Sequence, residues 1–333
     1  MKKLLVTGST GFVGSHMVDL LIKKKNYKIY CTRRYHLSNK LNINNFKNKV
    51  IWIDCDLTDS VAVQKMFKVN TFDYIYHFAA ESFVSPSWDH PLRYMDVNYK
   101  GTVNILEGMR EYCPKSRILI PGSGEEYGEI YKNELPINNK TTLRPVNPYA
   151  VTKISQDLIS YVYHRSYGLN VVRLRTFNHE GPRRENFFGL PSFAYQIARI
   201  EKKLQKPTIE VGHLKDYRNF THIDDICRAY YMAMNKCKSG ETYLVGNDNK
   251  KNFSTYENIL KTMISKSSFK NKIKIKQNKK FTRPTDVPFL IADTKKFKSL
   301  TKWQPKISLD QIIQDTLNYW RKRVEEDIYV DNK

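Results

Sequence analysis

The chain has 333 residues, 41% of them hydrophobic and 27% charged, which is the composition of a folded globular protein and excludes a disordered or collagen-like chain. That length is enough for one large domain or two coupled domains with a substantial buried core. Fifty-six Lys and Arg residues against 33 Asp and Glu residues give a formal net charge of +23. Such a positive charge favours the binding of a nucleic acid, an anionic membrane or a phosphorylated substrate.

Short apolar runs typical of buried strands recur along the first half of the chain, at residues 4–6, 27–31, 50–53, 74–78, 117–120 and 170–177. Helix-period segments separate several of them, at residues 13–22, 103–112 and 149–162. In the last segment a single stripe is formed by Val151, Ile154, Leu158, Tyr161 and Val162. Strands alternating with helices predict an α/β fold, a Rossmann-type doubly wound parallel sheet with helices on both faces.

The pattern changes beyond residue 177, where loops rich in Pro, Gly and charge become frequent. An amphipathic helix carries Phe193, Ile197, Ile200 and Leu204, and another helix is expected at residues 309–320. We predict a dinucleotide-binding Rossmann domain over residues 1–177, to which a segment near 210–235 returns. A smaller mixed domain over residues 178–333 would bind the substrate.

The basic residues are dispersed, which favours a solvated surface over a nucleic-acid module, so we expect no nucleic-acid partner. The densest stretch, residues 268–281, alternates Lys with Ile in part, as a half-exposed strand does. Five scattered cysteines show neither metal-ligand spacing nor a disulfide framework, which predicts reduced thiols and no metal site. The N-terminus lacks the apolar length of a signal peptide or a membrane span, so we expect a cytoplasmic protein with no membrane partner.

The first expected strand runs into the sequence TGSTGFVGSH, in which Gly8, Gly11 and Gly14 precede a helical segment. Glycines at such a position let the backbone turn tightly and approach a pyrophosphate at the helix N-terminus. The strand and helix on either side make this pattern a prediction of dinucleotide binding, with Phe12 and Val13 in the same loop.

The end of the second strand, CTRRY, carries Arg33 and Arg34 where NAD enzymes usually have Asp or Glu. With no carboxylate beside them, two guanidinium groups suit a 2′-phosphate, which predicts NADP rather than NAD. The alternative is that an arginine simply faces solvent. Asp56 is expected at the adenine edge by analogy with related folds, and the cofactor site should also contain Leu57, Ala79 and Ala80.

Tyr149 and Lys153 lie four residues apart, so on a helix they share one face. A nearby ammonium would lower the pKa of a phenol, and the phenolate could take a proton from a hydroxyl while hydride leaves the carbon. A Tyr and Lys at this spacing are common and mostly structural. Together with the glycine pattern and the strand-terminal Ser123, they are specific enough to predict a catalytic site.

With these residues the sequence resembles the extended, sugar-nucleotide branch of the short-chain dehydrogenase/reductase superfamily. Its segments TGSTGFVGSH, DLTD, HFAAES, DVNYKGT, GSGEEYG, NPYAVTK, RTFNHEGPRR, RNFTHIDDI and RPTDV follow the order of that family. Within it the chain is most similar to the GDP-mannose 4,6-dehydratases and their relatives, the GDP-4-keto-6-deoxymannose reductases.

The resemblance implies catalytic roles for four residues. Ser123 would hydrogen-bond the sugar 4-oxygen, Tyr149 would act as base and Lys153 as its activator and ribose ligand. Glu125 falls on the dehydratase glutamate that removes the C5 proton once C4 is a ketone. If strand alternation persists, Glu125 points with Ser123 into the cleft, whereas Glu126 points away and is structural.

The resemblance also implies a set of nucleotide-sugar ligands. Arg218 and Arg283 match arginines that bind the diphosphate, and Asp286 stands where an acidic residue binds the nucleoside ribose. The full expected set is Ser82, Asn178, Arg183, Arg184, Arg218, Arg283 and Asp286.

The favoured interpretation is an NADP-dependent GDP-sugar 4,6-dehydratase acting on GDP-mannose or a GDP-manno-heptose for surface-polysaccharide synthesis. The alternatives are an NADPH-dependent GDP-4-keto-6-deoxy-sugar reductase, an epimerase or a non-catalytic NADP-binding scaffold. Ser123 replaces the usual dehydratase threonine, and Gly124 argues against the dTDP-glucose type, which has Asp there. The family leads us to expect a homodimer or a homotetramer.

Overall fold

A computed structural model describes residues 1–38, 41–249, 252–282, 284, 285, 287 and 289–331. Its strands are β1 (Lys2–Thr7), β2 (Tyr27–Arg33), β3 (Ile51–Asp54), β4 (Tyr74–His77), β5 (Arg117–Ser123), β6 (Asn170–Thr176), β7 (His179–Glu180), β8 (Thr208–Val211), β9 (Tyr217–Asn219), β10 (Thr221–His222), β11 (Thr242–Val245), β12 (Phe253–Thr255) and β13 (Lys274–Gln277). Its α-helices are α1 (Phe12–Lys23), α2 (Ser60–Val69), α3 (Pro91–Tyr94), α4 (Gly101–Tyr112), α5 (Pro148–Tyr167), α6 (Gly189–Glu201), α7 (Ile223–Lys236), α8 (Tyr256–Ser265), α9 (Lys295–Thr301) and α10 (Leu309–Asp331).

The main sheet has seven strands in the order β11-β6-β5-β4-β1-β2-β3. Every neighbouring pair in it is parallel. The six strands expected from the apolar runs all lie in this sheet, and the order reverses direction between β1 and β4. Ligands of open parallel sheets bind at such a switch point, outside the carboxyl ends of the strands.

Two hydrophobic clusters cover the two faces of this sheet, which confirms the doubly wound arrangement. Side chains of α1 and α7 pack on one face, for example Met17 and Tyr230, both essentially inaccessible to solvent. Side chains of α2 and α4 pack on the other, for example Phe67 and Ile105. Because both faces are covered, the strands read as short continuous apolar runs.

A third cluster unites α6, α8 and α10 with β8 in the second half of the chain. The lysine-rich stretch forms an exposed strand there, because β13 pairs in parallel with β8 and all its residues are exposed. The elements α7 and β11, residues 223–245, join the main sheet and its helical layer. The division into domains at residue 177 stays a prediction.

Helix α5 is oriented differently from what its apolar stripe suggests. Leu158 is 50% exposed, and Val151, Tyr161 and Val162 are also exposed. The buried face carries polar residues instead, namely Tyr149, Thr152, Lys153, Gln156, Asp157, Ser160 and Tyr163. The stripe therefore faces outward, and the face with the expected catalytic residues packs against the sheet.

Candidate active site

A cleft of about 550 Å³ opens at the carboxyl ends of the main-sheet strands. Eighteen of the expected site residues line it: Gly8, Gly11, Phe12, Val13, Gly14, Arg33, Arg34, Asp56, Leu57, Ala79, Ala80, Ser82, Ser123, Glu125, Tyr149, Asn178, Arg184 and Arg218. Lys153 and Arg183 do not line it. Arg283 and Asp286 lie outside the described residues.

The glycine loop between β1 and α1 is packed so closely that side chains would not fit. A Cβ at Gly8, where φ is +65°, would lie 2.6 Å from the backbone nitrogen of Ala79. A Cβ at Gly14 would lie 2.2 Å from the carbonyl oxygen of Gly8. Helix α1 begins directly after this loop and has no side-chain cap, so its first N–H groups remain available to an anion. This loop fits a dinucleotide pyrophosphate.

The two arginines after β2 have different surroundings. Arg33 Nε lies 2.8 Å from Asp54, which pairs with it in the parallel register of β2 and β3. The expectation that neither arginine has a carboxylate beside it is therefore wrong for Arg33, because the carboxylate comes from the adjacent strand. Arg34 donates its backbone N–H to Ser38 Oγ at 2.7 Å, and both residues line the cleft.

Asp56 lies in the same end of the cleft. Burial opposes its ionisation, but hydrogen bonds from the Thr58 N–H and hydroxyl, together with the charges of Arg34 and Arg93, lower its pKa overall. The bonds from Thr58 are 2.9 and 2.8 Å long. An ionised carboxylate is thus held where the expected adenine edge would lie.

Ser123 and Tyr149 meet at the inner end of the cleft. The Ser123 hydroxyl neighbours the buried phenol of Tyr149, and helix α5 presents this phenol because Asn147 caps its N-terminus. Burial raises the pKa of Tyr149, while the nearby Ser123 hydroxyl opposes that rise. A neighbouring charge that lowers this pKa comes from Arg184.

Lys153 lies on the buried face of α5, and its expected role as activator of Tyr149 stays a prediction. Its ammonium donates hydrogen bonds to the carbonyl of Pro121, at 2.8 Å, and to the side chain of Gln156. Both acceptors lie outside the cleft lining. Burial lowers the pKa of Lys153 to about 8, against the favourable charges of Glu126 and Asp157.

Glu125 and Glu126 lie in different surroundings, but a turn causes this difference and not the alternation of side chains along a strand. Strand β5 ends at Ser123 and is followed by a 3-10 turn over Gly124–Tyr127. Glu125 is half-buried and lines the cleft, where its carboxylate accepts a hydrogen bond from Asn147 Nδ2 at 3.1 Å. Glu126 is fully buried and accepts one from the Ser123 N–H at 2.6 Å. Asn147 also caps α5, so it joins the helix of Tyr149 to the turn of Glu125.

Some of the expected substrate ligands line the cleft, and others do not. Arg184 stacks over Phe188, with its guanidinium carbon 3.8 Å from the ring centre, and Arg218 lies over Tyr256. Both line the cleft, as do Ser82 and Asn178. Arg183 instead forms an ion pair with Asp19 of α1 at 2.6 Å. Arg183 does not line the cleft, and its expected role as a substrate ligand stays a prediction.

Several residues in or beside the cleft were not expected from the sequence. Glu180 is buried beside Arg184, at 3.3 Å, and burial raises its pKa to about 7. Arg93 of α3 lines the adenosine end. Asn98, in a π-helical segment over Met95–Lys100, makes two hydrogen bonds to the backbone of Glu81. The motifs FNHE and DVNYKGT contain Glu180 and Asn98, so these segments carried the signal.

Within the described ranges, no group of three or more His, Cys, Asp and Glu side chains could hold a metal ion. None of the helices in the described part of the chain combines the length and the apolar character needed to cross a bilayer.

Known proteins resemble this chain along nearly its whole length. A family model described as GDP-mannose 4,6 dehydratase matches residues 5–316. The GDP-mannose 4,6-dehydratase sdnI of Sordaria araneosa is 27% identical over an alignment of 336 residues that covers 94% of this chain and 60% of that longer protein. This chain therefore spans less than two thirds of that relative.

Two further relatives match end to end. A UDP-glucuronate 4-epimerase of Thermodesulfobacterium geofontis is 29% identical over 96% of this chain and 97% of its own. A GDP-6-deoxy-D-mannose reductase of Pseudomonas aeruginosa is 25% identical over 98% and 99%. The fold matches the structure of RMD from Pseudomonas aeruginosa complexed with NADPH, with a TM-score of 0.82, 24% identity and coverage of 97% and 100%.

Proposed function

Because this chain belongs to the GDP-mannose 4,6-dehydratase family of extended short-chain dehydrogenases/reductases, we propose that it is an NADP-dependent GDP-sugar 4,6-dehydratase. Its substrate would be GDP-mannose or a GDP-manno-heptose, and its 4-keto-6-deoxy product would serve surface-polysaccharide synthesis. Relatives with dehydratase, reductase and epimerase names match this chain along most of its length, so the residues of the cleft, and not the fold, determine the reaction.

The position of Glu125 carries the proposal. Its carboxylate lies in the same cleft as Ser123 and Tyr149, held by the amide of Asn147. A dehydratase needs a base beside the carbon next to the newly formed ketone, whereas a 4-keto reductase needs none. Glu125 supplies such a base from a turn that directly follows the Ser123 strand end.

The residues divide the reaction between them. Tyr149 takes the proton of the 4-hydroxyl while Ser123 hydrogen-bonds the same oxygen, so that negative charge on it is stabilised. The ketone at C4 acidifies the C5 hydrogen, which Glu125 removes as a proton and passes to the C6 hydroxyl, so that this group leaves as water. The proton that Tyr149 took from the 4-hydroxyl balances the one that C5 regains when C6 is reduced. Bound NADP would accept the C4 hydride and return it to C6, so that no net oxidation occurs.

The cofactor end supports NADP. Arg34 and Ser38 offer a guanidinium and a hydroxyl where a 2′-phosphate would lie, and Arg93 adds positive charge to the same end of the cleft. The glycine loop at the start of α1 would hold the pyrophosphate. Arg184 and Arg218 line the same cleft and would bind the phosphates of the sugar nucleotide.

The second candidate is an NADPH-dependent GDP-4-keto-6-deoxy-sugar reductase. The full-length match to a GDP-6-deoxy-D-mannose reductase favours it, and Ser123, which stands in place of the dehydratase threonine, is compatible with either reaction. In a reductase, Glu125 would only line the pocket.

We also propose that the protein is a homo-oligomer. The outward stripe of α5 exposes Leu158 and Val162 directly behind the helix face that carries Tyr149. Apolar side chains aligned on one exposed helix face are favourable when a second copy covers them.

Incubation of the protein with GDP-mannose and a catalytic amount of NADP tests the function. A 4-keto-6-deoxy product without net cofactor consumption is expected, and Tyr149→Phe should abolish it. Stoichiometric NADPH oxidation with a 4-keto sugar, and no reaction with GDP-mannose, would establish the reductase instead. If the Tyr149→Phe variant lost this reaction but kept the full biological activity of the wild type, the interpretation as a non-catalytic scaffold would be favoured.

A further inference from the structure

Glu126 is a buried carboxylate that faces away from the cleft, directly beneath the reaction site. Its Oε1 accepts the Ser123 N–H at 2.6 Å, while Ser123 Oγ accepts the Glu125 N–H at 3.1 Å. The two bonds form a capping box that fixes the end of β5. Gly122 leaves the space for it, because a Cβ there would lie 2.1 Å from Glu126 Oε1.

The same carboxylate belongs to a buried ionic network. Glu126 Oε2 lies 2.9 Å from Arg175 Nε, and Asp157 binds Arg175 at 2.7 Å and Arg173 at 3.0 Å. Lys153 lies one helical turn before Asp157 on α5, and the charges of Glu126 and Asp157 both favour its protonated form. Three basic side chains thus share two carboxyl groups in a region nearly closed to solvent. Burial and the charge of Asp157 raise the pKa of Glu126 to about 7, so Glu126 carries its charge above that pH.

We propose that Glu126 is a positioning residue of the reaction site, which fixes the Ser123 backbone and stabilises the buried ammonium of Lys153 without touching the substrate. The proposal rests on the proposed function for the roles of Ser123 and Lys153. It replaces the expectation that Glu126 is only structural.

Glu126 stabilises the ammonium of Lys153 because few other carboxylates lie in the buried ionic network. Lys153 and Glu126 share a set of titratable or charged neighbours from four elements, namely Tyr127 of the turn, Tyr149 and Asp157 of α5, Arg173 and Arg175 of β6, and His77 of β4. Without Glu126, Asp157 would be the one carboxylate among these neighbours facing three cations. A buried ammonium in such surroundings loses its proton more readily.

The pH profile of turnover tests this role. Glu126→Gln keeps an oxygen for the Ser123 N–H but removes the charge, so the alkaline limb should move to lower pH by about one pH unit. Glu126→Leu removes the acceptor as well and should lower kcat further. Glu129→Gln, a change of the same kind at an exposed position, should leave the profile unchanged. A lower thermal midpoint with an unmoved limb would mean a merely structural role.

A double-mutant cycle between Glu126→Gln and Lys153→Met tests the same pair without any turnover. The unfolding free energies should be non-additive near pH 7.5 and additive near pH 10, where Lys153 has lost its proton. If Glu126→Gln does not fold, Gly122→Ala, which crowds Oε1, should shift the alkaline limb in the same direction. Additivity at both pH values overturns the proposal, whatever the protein catalyses. If Glu126 and Lys153 are coupled but the protein does not dehydrate GDP-mannose, the role of Glu126 is upheld and only the proposed function is overturned.

Discussion

Arg33 Nε lies 2.8 Å from a carboxylate oxygen of Asp54, although the two residues are 21 positions apart in the chain. A guanidinium that is already paired with a carboxylate attracts a phosphate less strongly than an unpaired one. Arg34 has no carboxylate within ion-pair distance among the residues that the structure describes. The two adjacent arginines should therefore contribute unequally to cofactor choice.

We expect Arg34→Ser to weaken NADPH binding by at least about tenfold and to change NADH binding little, because one or two charge-assisted hydrogen bonds to a 2′-phosphate are lost. Arg33→Ser is the matched control and should weaken NADPH binding by less than about threefold. Calorimetric titration of each variant with both cofactors measures the difference. Equal losses for both variants, or a loss in NADH binding as large as that in NADPH binding, would contradict the assignment.

The main strands could be predicted from the sequence, because the strands of a parallel sheet that is covered on both faces are short, continuous apolar runs. The addition of β11 to this sheet was not readable. Its four residues, Thr242–Val245, follow a long excursion through the second half of the chain, and hydrophobic periodicity does not specify a strand's partner. The stripe on α5 shows the same limit, since periodicity reveals an apolar face but not whether the sheet or a second copy covers it.

The candidate site was readable to the extent that it depends on local motifs. Gly8, Ser123 and Tyr149 sit at strand ends or a helix start, and parallel strands bring their carboxyl ends together. Contacts that depend on cross-strand register or turn type were not readable. The ion pair of Arg33 with Asp54 requires the register of β2 and β3, and the burial of Glu126 requires a 3-10 turn in place of a continuing strand.

We expect Glu125→Gln to lower dehydration of GDP-mannose by about 10² to 10⁴-fold, since a positioned general base contributes on that scale. The amide can still accept the hydrogen bond from Asn147, so the fold and cofactor binding should persist. Exchange of the C5 hydrogen with deuterated solvent, followed by NMR, reports on the step itself. Glu129→Gln serves as the control, and undiminished exchange in Glu125→Gln would remove Glu125 from the role of base.

The outward stripe of α5 should be the contact between copies. Replacing both Leu158 and Val162 by Lys puts two charges into that contact and should weaken self-association by at least about 100-fold. Val69→Lys changes an apolar residue outside the stripe that is even more exposed, and it should have no effect. Sedimentation velocity at several concentrations measures the assembly. A wild-type protein that stays monomeric, or a double variant that assembles normally, would refute this interface.

Glu180 should make stability depend on pH in a direction that its surroundings fix. Burial raises the pKa of its carboxyl to about 7 from an ordinary value of 4.5, against the charge of Arg184. The folded chain therefore holds this proton more tightly than the unfolded chain does. The corresponding stabilisation is complete below about pH 4.5 and is lost as the pH rises through about 7, at a cost of about 3 kcal/mol.

Comparison of Glu180→Gln with the wild type isolates this contribution, because Glu126 and every other titrating group are common to both proteins. The amide does not titrate, so the unfolding free energy of Glu180→Gln minus that of the wild type should rise between pH 4.5 and pH 8, by up to about 3 kcal/mol. Urea unfolding at half-unit pH intervals measures this difference, with Glu129→Gln as the exposed control. A difference that stays flat across the interval would mean that folding leaves the proton affinity of Glu180 unchanged, because the charge of Arg184 then fully offsets the effect of burial.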